Sequence, residues 1–128
     1  MSIKIERKKG IQIIRMMSDT ITESDAVSVR TVVEMALSAG IRNFILSIME
    51  RSLAEQVLLS NLIEYCEKTV QRGNGLISLV VTPVDGRESL YRGSKSSLGI
   101  PVYGSEDDAI TGMLSESSSS SPAIKPKN

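Results

Sequence analysis

Phe44-Ile45-Leu46-Ser47-Ile48 and, after Met49-Glu50-Arg51, the run Ser52-Leu53-Ala54-Glu55-Gln56-Val57-Leu58-Leu59-Ser60-Asn61-Leu62-Ile63-Glu64-Tyr65-Cys66-Glu67-Lys68-Thr69-Val70-Gln71-Arg72 decide the fold of this chain. The first block is apolar on both alternations, the mark of a strand buried on both faces. The second places Leu59, Leu62, Ile63, Cys66 and Val70 on one helical stripe. Glu55, Ser60, Glu64, Glu67, Lys68 and Gln71 fall outside that stripe. Ser52 followed three residues later by Glu55 reads as a capping box, which stabilises a helix start by about 1 kcal/mol. A doubly buried strand leading into an amphipathic helix is the unit of an α/β layer fold. The junction at residues 50–58 is where chemistry is expected, because helix N-termini favour anions and phosphates.

Toward the N-terminus, Ile3 and Ile5 alternate with Lys4 and Glu6, the period of a half-buried strand. Lys8-Lys9-Gly10 reads as a turn, and residues 11–17 as a second, more apolar strand, so the two form an antiparallel hairpin. A polar loop over residues 18–24 precedes a helix over residues 25–39, with Ala26, Val29, Val33, Ala36 and Leu37 inward and Gly40 as its stop. Beyond the central unit, Gly73-Asn74-Gly75 ends the long helix and residues 76–81 form another apolar strand, broken at Thr82-Pro83. A weaker helix is expected at residues 87–96 and a short edge strand at residues 100–103, where Pro101 is tolerated. Ser105 caps a last helix through Glu106, Asp107 and Asp108 to Leu114, its acids complementing the helix dipole.

The expected order is β-β-α-β-α-β-α-β-α. Right-handed crossovers make it an α/β sandwich with a mixed sheet of about four to five strands and about four helices. One domain is expected over residues 1–114. Residues 115–128, rich in serine, cannot bury enough apolar surface to offset their ordering entropy and read as a disordered tail.

Composition narrows the function. The 128 residues hold 15 Lys plus Arg against 15 Asp plus Glu, a balance that argues against nucleic acid or a polyanionic surface as partner. Aromatics make up 3%, too few for base-stacking platforms. There is no histidine and one cysteine, Cys66, which removes the commonest general base, most metal-ligand patterns and any internal disulfide. Cys66 reads as a small core hydrophobe. The first nine residues alternate charge with isoleucine rather than forming a signal-peptide run, and no apolar stretch approaches the ~20 residues of a membrane span. A cytoplasmic protein without membrane insertion is the expectation.

Catalytic and cofactor motifs do not assemble. The segment from Gly86 through Gly93 to Lys95 lacks the glycine directly before lysine that a phosphate-binding loop requires, and no Gly-x-Gly-x-x-Gly follows a strand. The acids Asp107-Asp108 and Glu50 with Glu55 suit helix N-termini and come with no metal motif. The serines have no identifiable base beside them in sequence. The reading is a protein that is not an enzyme and that uses neither metal nor cofactor.

Three phrases, in order, carry a resemblance that runs from Ile3 to Leu114. They are Ala36-Leu37-Ser38-Ala39-Gly40-Ile41-Arg42-Asn43-Phe44-Ile45-Leu46, then Leu59-x-x-Leu62-Ile63 leading to Arg72-Gly73 and the strand Leu76-Ile77-Ser78-Leu79-Val80-Val81, then Leu98-Gly99-Ile100-Pro101-Val102-Tyr103-Gly104-Ser105-Glu106-Asp107-Asp108-Ala109-Ile110. In these the chain resembles the STAS domain, the fold of bacterial anti-sigma factor antagonists. That family switches partners through an Asp-Ser-Ser-Gly-like motif at the start of the long helix. A serine kinase that is itself an anti-sigma factor, of the histidine-kinase-like ATPase type, phosphorylates a serine there. The added charge of about −1.5 to −2 breaks the interface.

Aligned without gaps, the resemblance sets Glu55-Gln56-Val57-Leu58 at that motif, with the leucine pattern falling on Leu59, Leu62 and Ile63. Gln56 then stands at the phosphoacceptor position and Ser47 where the family has an aspartate. Glutamine cannot be phosphorylated, so the resemblance implies a degenerate switch. A shortened loop would instead make Ser52 the acceptor. The implied function is a non-catalytic adaptor in partner-switching control of bacterial transcription, binding its anti-sigma partner through Ser47, Glu50, Ser52, Glu55, Gln56 and Ser60. Two alternatives stand beside it: a STAS subunit docking on the cytosolic ATPase of a membrane transport complex, and a small-ligand sensor.

Overall fold

The computed structural model describes residues 3–17, 21–49, 56–82 and 100–119. Eight elements follow in order: β1 (Ile3–Lys8), β2 (Ile11–Met16), α1 (Glu23–Ser38), β3 (Asn43–Met49), α2 (Gln56–Arg72), β4 (Leu76–Thr82), β5 (Val102–Tyr103) and α3 (Glu106–Ser119). The strands form one five-stranded mixed sheet in the order β1-β2-β3-β4-β5, in which β1 is antiparallel to β2 and every later neighbour is parallel. The protein is therefore α/β, with three helices among the described residues. The helix expected at residues 87–96 lies outside them, as does the capping box at Ser52 and Glu55.

Local chemistry explains most boundaries. Lys9 and Gly10 both take positive φ, 52° and 79°. That is the backbone of a two-residue hairpin turn whose twist matches the flanking strands, and glycine supplies the second position without steric cost. The hairpin pairs Lys8 with Ile11 and Ile3 with Met16. α1 starts two residues before the sequence expectation. The Thr22 hydroxyl accepts from the Asp25 N–H and the Asp25 carboxylate from the Thr22 N–H, each at 3.1 Å. Thr22 of this Thr-x-x-Asp box lies in the segment read as polar loop, because its residue type serves turns and caps equally well.

α1 and α2 end alike. In α1 the Gly40 N–H donates to the Leu37 carbonyl and the Ile41 N–H to the Ala36 carbonyl; in α2, Asn74 and Gly75 do the same to Gln71 and Val70. These are Schellman closures, and in α2 the left-handed position falls on Asn74 (φ 60°) rather than on either flanking glycine. Gly75 serves a different need. A Cβ there would collide with the Arg42 carbonyl oxygen, at the point where β3 and β4 come together and the Leu76 N–H donates to that same oxygen at 2.9 Å.

Strand alternation sorts the core onto two faces. On one, Ile14, Phe44, Leu46, Ile48, Leu79 and Val81 meet Ala26, Val29 and Val33 of α1 and Leu59, Leu62, Cys66 and Val70 of α2. The stripes expected from sequence are the buried ones, with Leu37 and Ile63 packed at their margin. On the other face, Ile11, Ile13, Ile45 and Val80 meet Ala109, Ile110 and Met113 of α3. Because β2, β3 and β4 advance steadily in one direction, crossovers of one hand put α1 and α2 on the same side. α3 is left to cover the reverse.

α3 runs to Ser119 rather than ending at Leu114. Once a helix is nucleated each further residue gains a hydrogen bond, and serine in a helix costs only about 0.5 kcal/mol relative to alanine. The composition change at Ser115 marks where apolar burial stops, not where the helix does. Residues 120–128 lie outside the described residues.

Candidate functional site

Parallel strands each followed by a helix bring the helix starts to one edge of the sheet, the carboxyl ends of the strands, where open α/β proteins place their sites. Thr22 precedes α1 after β2, Gln56 opens α2 after β3, and Glu106 opens α3 after β5. The strand order never reverses along the sheet. Among the described residues there is thus no topological switch point of the kind that opens a crevice for a dinucleotide. Two of the helix starts are closed by the chain itself, α1 by Thr22 with Asp25 and α3 by the Ser105 hydroxyl, which accepts from the Asp108 N–H at 3.1 Å.

Of the residues implicated by sequence, Glu50, Ser52 and Glu55 lie outside the described residues, and Gln56 is the first residue of α2. Ser47 and Ser60 are not brought together. Ser47 shares the α3 face of β3 with Ile45 and is 7% exposed, whereas Ser60 is exposed on α2, across the sheet. What surrounds Ser60 is informative. Val57 is 79% exposed, the most exposed of the large hydrophobic side chains among the described residues, and Asn61 beside it is exposed as well. With Glu64 and Lys68, joined at 2.9 Å, they form the outward stripe of the helix. The opposite side of the same turns, Leu58 and Leu59, packs into the core. α2 is also held to α1 on the outside, where the Tyr65 hydroxyl donates to Glu34 and Arg30 lies 5.6 Å over the Tyr65 ring. The start of α2 is thus a supported shelf carrying an apolar side chain that the core does not use.

Ser47 belongs to a different cluster, one that sequence reasoning did not single out. Arg15, from β2, donates through Nε and Nη2 to the two oxygens of Glu106, each at 2.7 Å, and Nη2 also meets Glu6 of β1 at 2.8 Å. Two short parallel bonds between guanidinium and carboxylate are the strongest form of this contact. They hold the Glu106 carboxyl below its usual pKa, assisted by a hydrogen bond from Ser47 and opposed by partial burial, and they push the Arg15 pKa up. Ser47 is thus part of an ion-pair cluster. Its carboxylate neighbour has both oxygens engaged by Arg15. The available signal was Arg15 itself, a charge amid Ile11, Ile13, Ile14 and Met16; its partner is 91 residues away.

Cys66 is buried within the α2 stripe, and desolvation pushes its thiol up to about 12. It packs as an apolar side chain. Among the described residues no three His, Cys, Asp or Glu side chains gather where a metal ion could be held, and no helix is long and apolar enough to cross a membrane. In comparisons with known proteins, no family model matches the chain and no curated protein matches it.

Proposed function

We propose that the chain is a non-catalytic adaptor of the STAS kind, whose partner surface is the exposed side of the first turns of α2. The observation that carries this reading is Val57, 79% exposed beside Ser60 and Asn61 on a helix whose other side is fixed in the core. A single exposed valine is ordinary on a protein surface and gains its meaning from where it stands. It coincides with the position to which the STAS resemblance of the sequence assigns the phosphorylation switch. The partner is an anti-sigma factor and serine kinase of the histidine-kinase-like ATPase type, met in the cytoplasm. Gln56 at the acceptor position holds the adaptor in its unphosphorylated, binding-competent form.

The test titrates the full chain against such an ATPase from the same host. Gln56→Asp introduces a charge at the acceptor position and Val57→Asp introduces one on the apolar shelf; each is expected to weaken binding roughly tenfold or more. Unchanged affinity in both variants overturns the surface. Phosphate mapped to Ser52 by intact-mass and peptide analysis overturns the role of Gln56. Recovery of a transport ATPase in place of an anti-sigma factor moves the adaptor to a transport assembly.

A further inference from the structure

β1 is the outer strand of the sheet, and among the described residues it pairs along one edge only, with β2. An unpaired edge is a template for another strand, and lysines commonly guard it. The charges of β1, however, are not a simple guard. Lys4 stands directly opposite Arg15 in the β1–β2 register, a like-charge cross-strand pair and so an unfavourable one. Among the described residues it has no carboxylate partner. Glu6, on the same face two residues on, shares the single Arg15 guanidinium with Glu106, and Lys8 reaches it only at 3.8 Å. One face of β1 thus carries a cation short of an anion beside an anion that shares its cation.

The other face of the same strand carries Ile3, Ile5 and Arg7, the last donating to Gln12 of β2, and it is open around Ile5. Ile5 is 50% exposed and, with Val32, Met35 and Ala36 of α1, lines a groove of about 430 Å³ between strand and helix. Met35 itself is 67% exposed.

We propose that β1 pairs antiparallel with β1 of a second copy of this chain, about a two-fold axis through Ile5. An axis perpendicular to the sheet requires one residue to oppose itself, because side chains alternate between the faces. Centring on Lys4 or on Glu6 sets like charges opposite each other. Centring on Arg7 does the same and shortens the overlap to the end of the strand. Centring on Ile5 sets Lys4 of each copy opposite Glu6 of the other and places the two Ile5 side chains in contact. The two α1 helices then flank the axis, with the Met35 side chains over the joined grooves. Lys8 and Lys9 lie beyond the overlap and resist longer, slipped pairings. A six-residue strand and one helix margin make a contact at the small end of interface sizes, so the dimer forms with concentration, in the range of about micromolar and above.

Sedimentation equilibrium of the full chain over a concentration series is expected to show mass rising from 13.9 kDa toward twice that value. Lys4→Glu is the informative variant. Within one copy it places a carboxylate opposite Arg15 and leaves the fold intact by circular dichroism. Between copies it sets the introduced carboxylate against Glu6 twice and weakens the dimer roughly tenfold or more. Ile5→Cys is expected to cross-link as a dimer on mild oxidation, because position 5 alone faces itself, whereas Arg7→Cys is not. A monomer at every concentration overturns the proposal. So does a dimer indifferent to Lys4→Glu, or one that cross-links through a cysteine introduced at position 7 and not at position 5.

Discussion

Among the described residues, the sheet presents Ile14, Phe44, Leu46, Ile48 and Leu79 to two helices on the face under α1 and α2, whereas on the face under α3 it presents Ile11, Ile13, Ile45 and Val80 to one. Five strands about 4.8 Å apart make a surface about twice the width of a helix, which is about 10 Å across. Two helices therefore cover most of their face, and what stays open is the groove at its β1 margin, where Arg7 donates to Gln12 beside Ile5. One helix covers less. Beyond the reach of α3 the second face turns polar at Lys4, Glu6, Lys8 and Arg15, and the helix is pinned at its start by the Arg15–Glu106 pair instead. Area decides where apolar packing ends and ion pairing begins.

The adjacent isoleucines of β2 test this comparison most strongly. Ile14 faces α1 and α2, and Ile13 faces α3; both are fully buried. Replacing either with alanine should cost about 2–5 kcal/mol, with Ile14→Ala the more damaging, because a single helix relaxes into a cavity more readily than a pair. Urea denaturation of the two variants measures the difference. Equal losses would show that α3 is packed as rigidly as the two-helix layer.

Next in size is Arg15→Gln, which leaves Glu6 and Glu106 without their shared cation. A loss of about 1.5–3 kcal/mol at neutral pH is expected, in keeping with a charge-assisted, partly buried pair. The pH dependence sharpens it. The Glu106 pKa is lowered in the folded protein, so its contribution is fully present above the unfolded glutamate value of about 4.3 and disappears as pH falls through the folded value. The wild type should lose stability in that acid window, and Arg15→Gln should lose less there, as stability measured from neutral pH down to about pH 3 will reveal.

The smallest effect belongs to the cap of α1. Thr22→Ala removes the acceptor for the Asp25 N–H and is expected to cost about 1 kcal/mol. Amide exchange should rise in the first turn of α1 while α3 stays protected. Exchange rising on both faces would mean that the two layers open together.

What sequence reading recovers and what it misses divide along the same physical line. The hairpin, β3, β4 and the stripes of α1 and α2 are legible because each is a local repeat of period 2 or 3.6, and the turn at Lys9-Gly10 and the closures at Gly40 and Asn74 are local as well. The start of α1 is missed by two residues because a capping Thr22 looks the same in a loop. Ser47 and Ser60, grouped by a linear motif, sit on opposite faces because a strand and the helix it feeds belong to different layers. Val57 reads as one more apolar residue of α2 until its exposure is known.

By itself, then, the sequence determines the order of the eight described elements, the α/β class and the residues able to form a core, since backbone period and side-chain polarity are properties of neighbours along the chain. Only the tertiary structure decides which face each helix covers, that Arg15 meets Glu106 across 91 residues, that Ser47 is tied into that pair, and that β1 has a free edge among the described residues. Those depend on how strands are ordered side by side and on how far one helix reaches, and distance across a sheet is not written as distance along a chain.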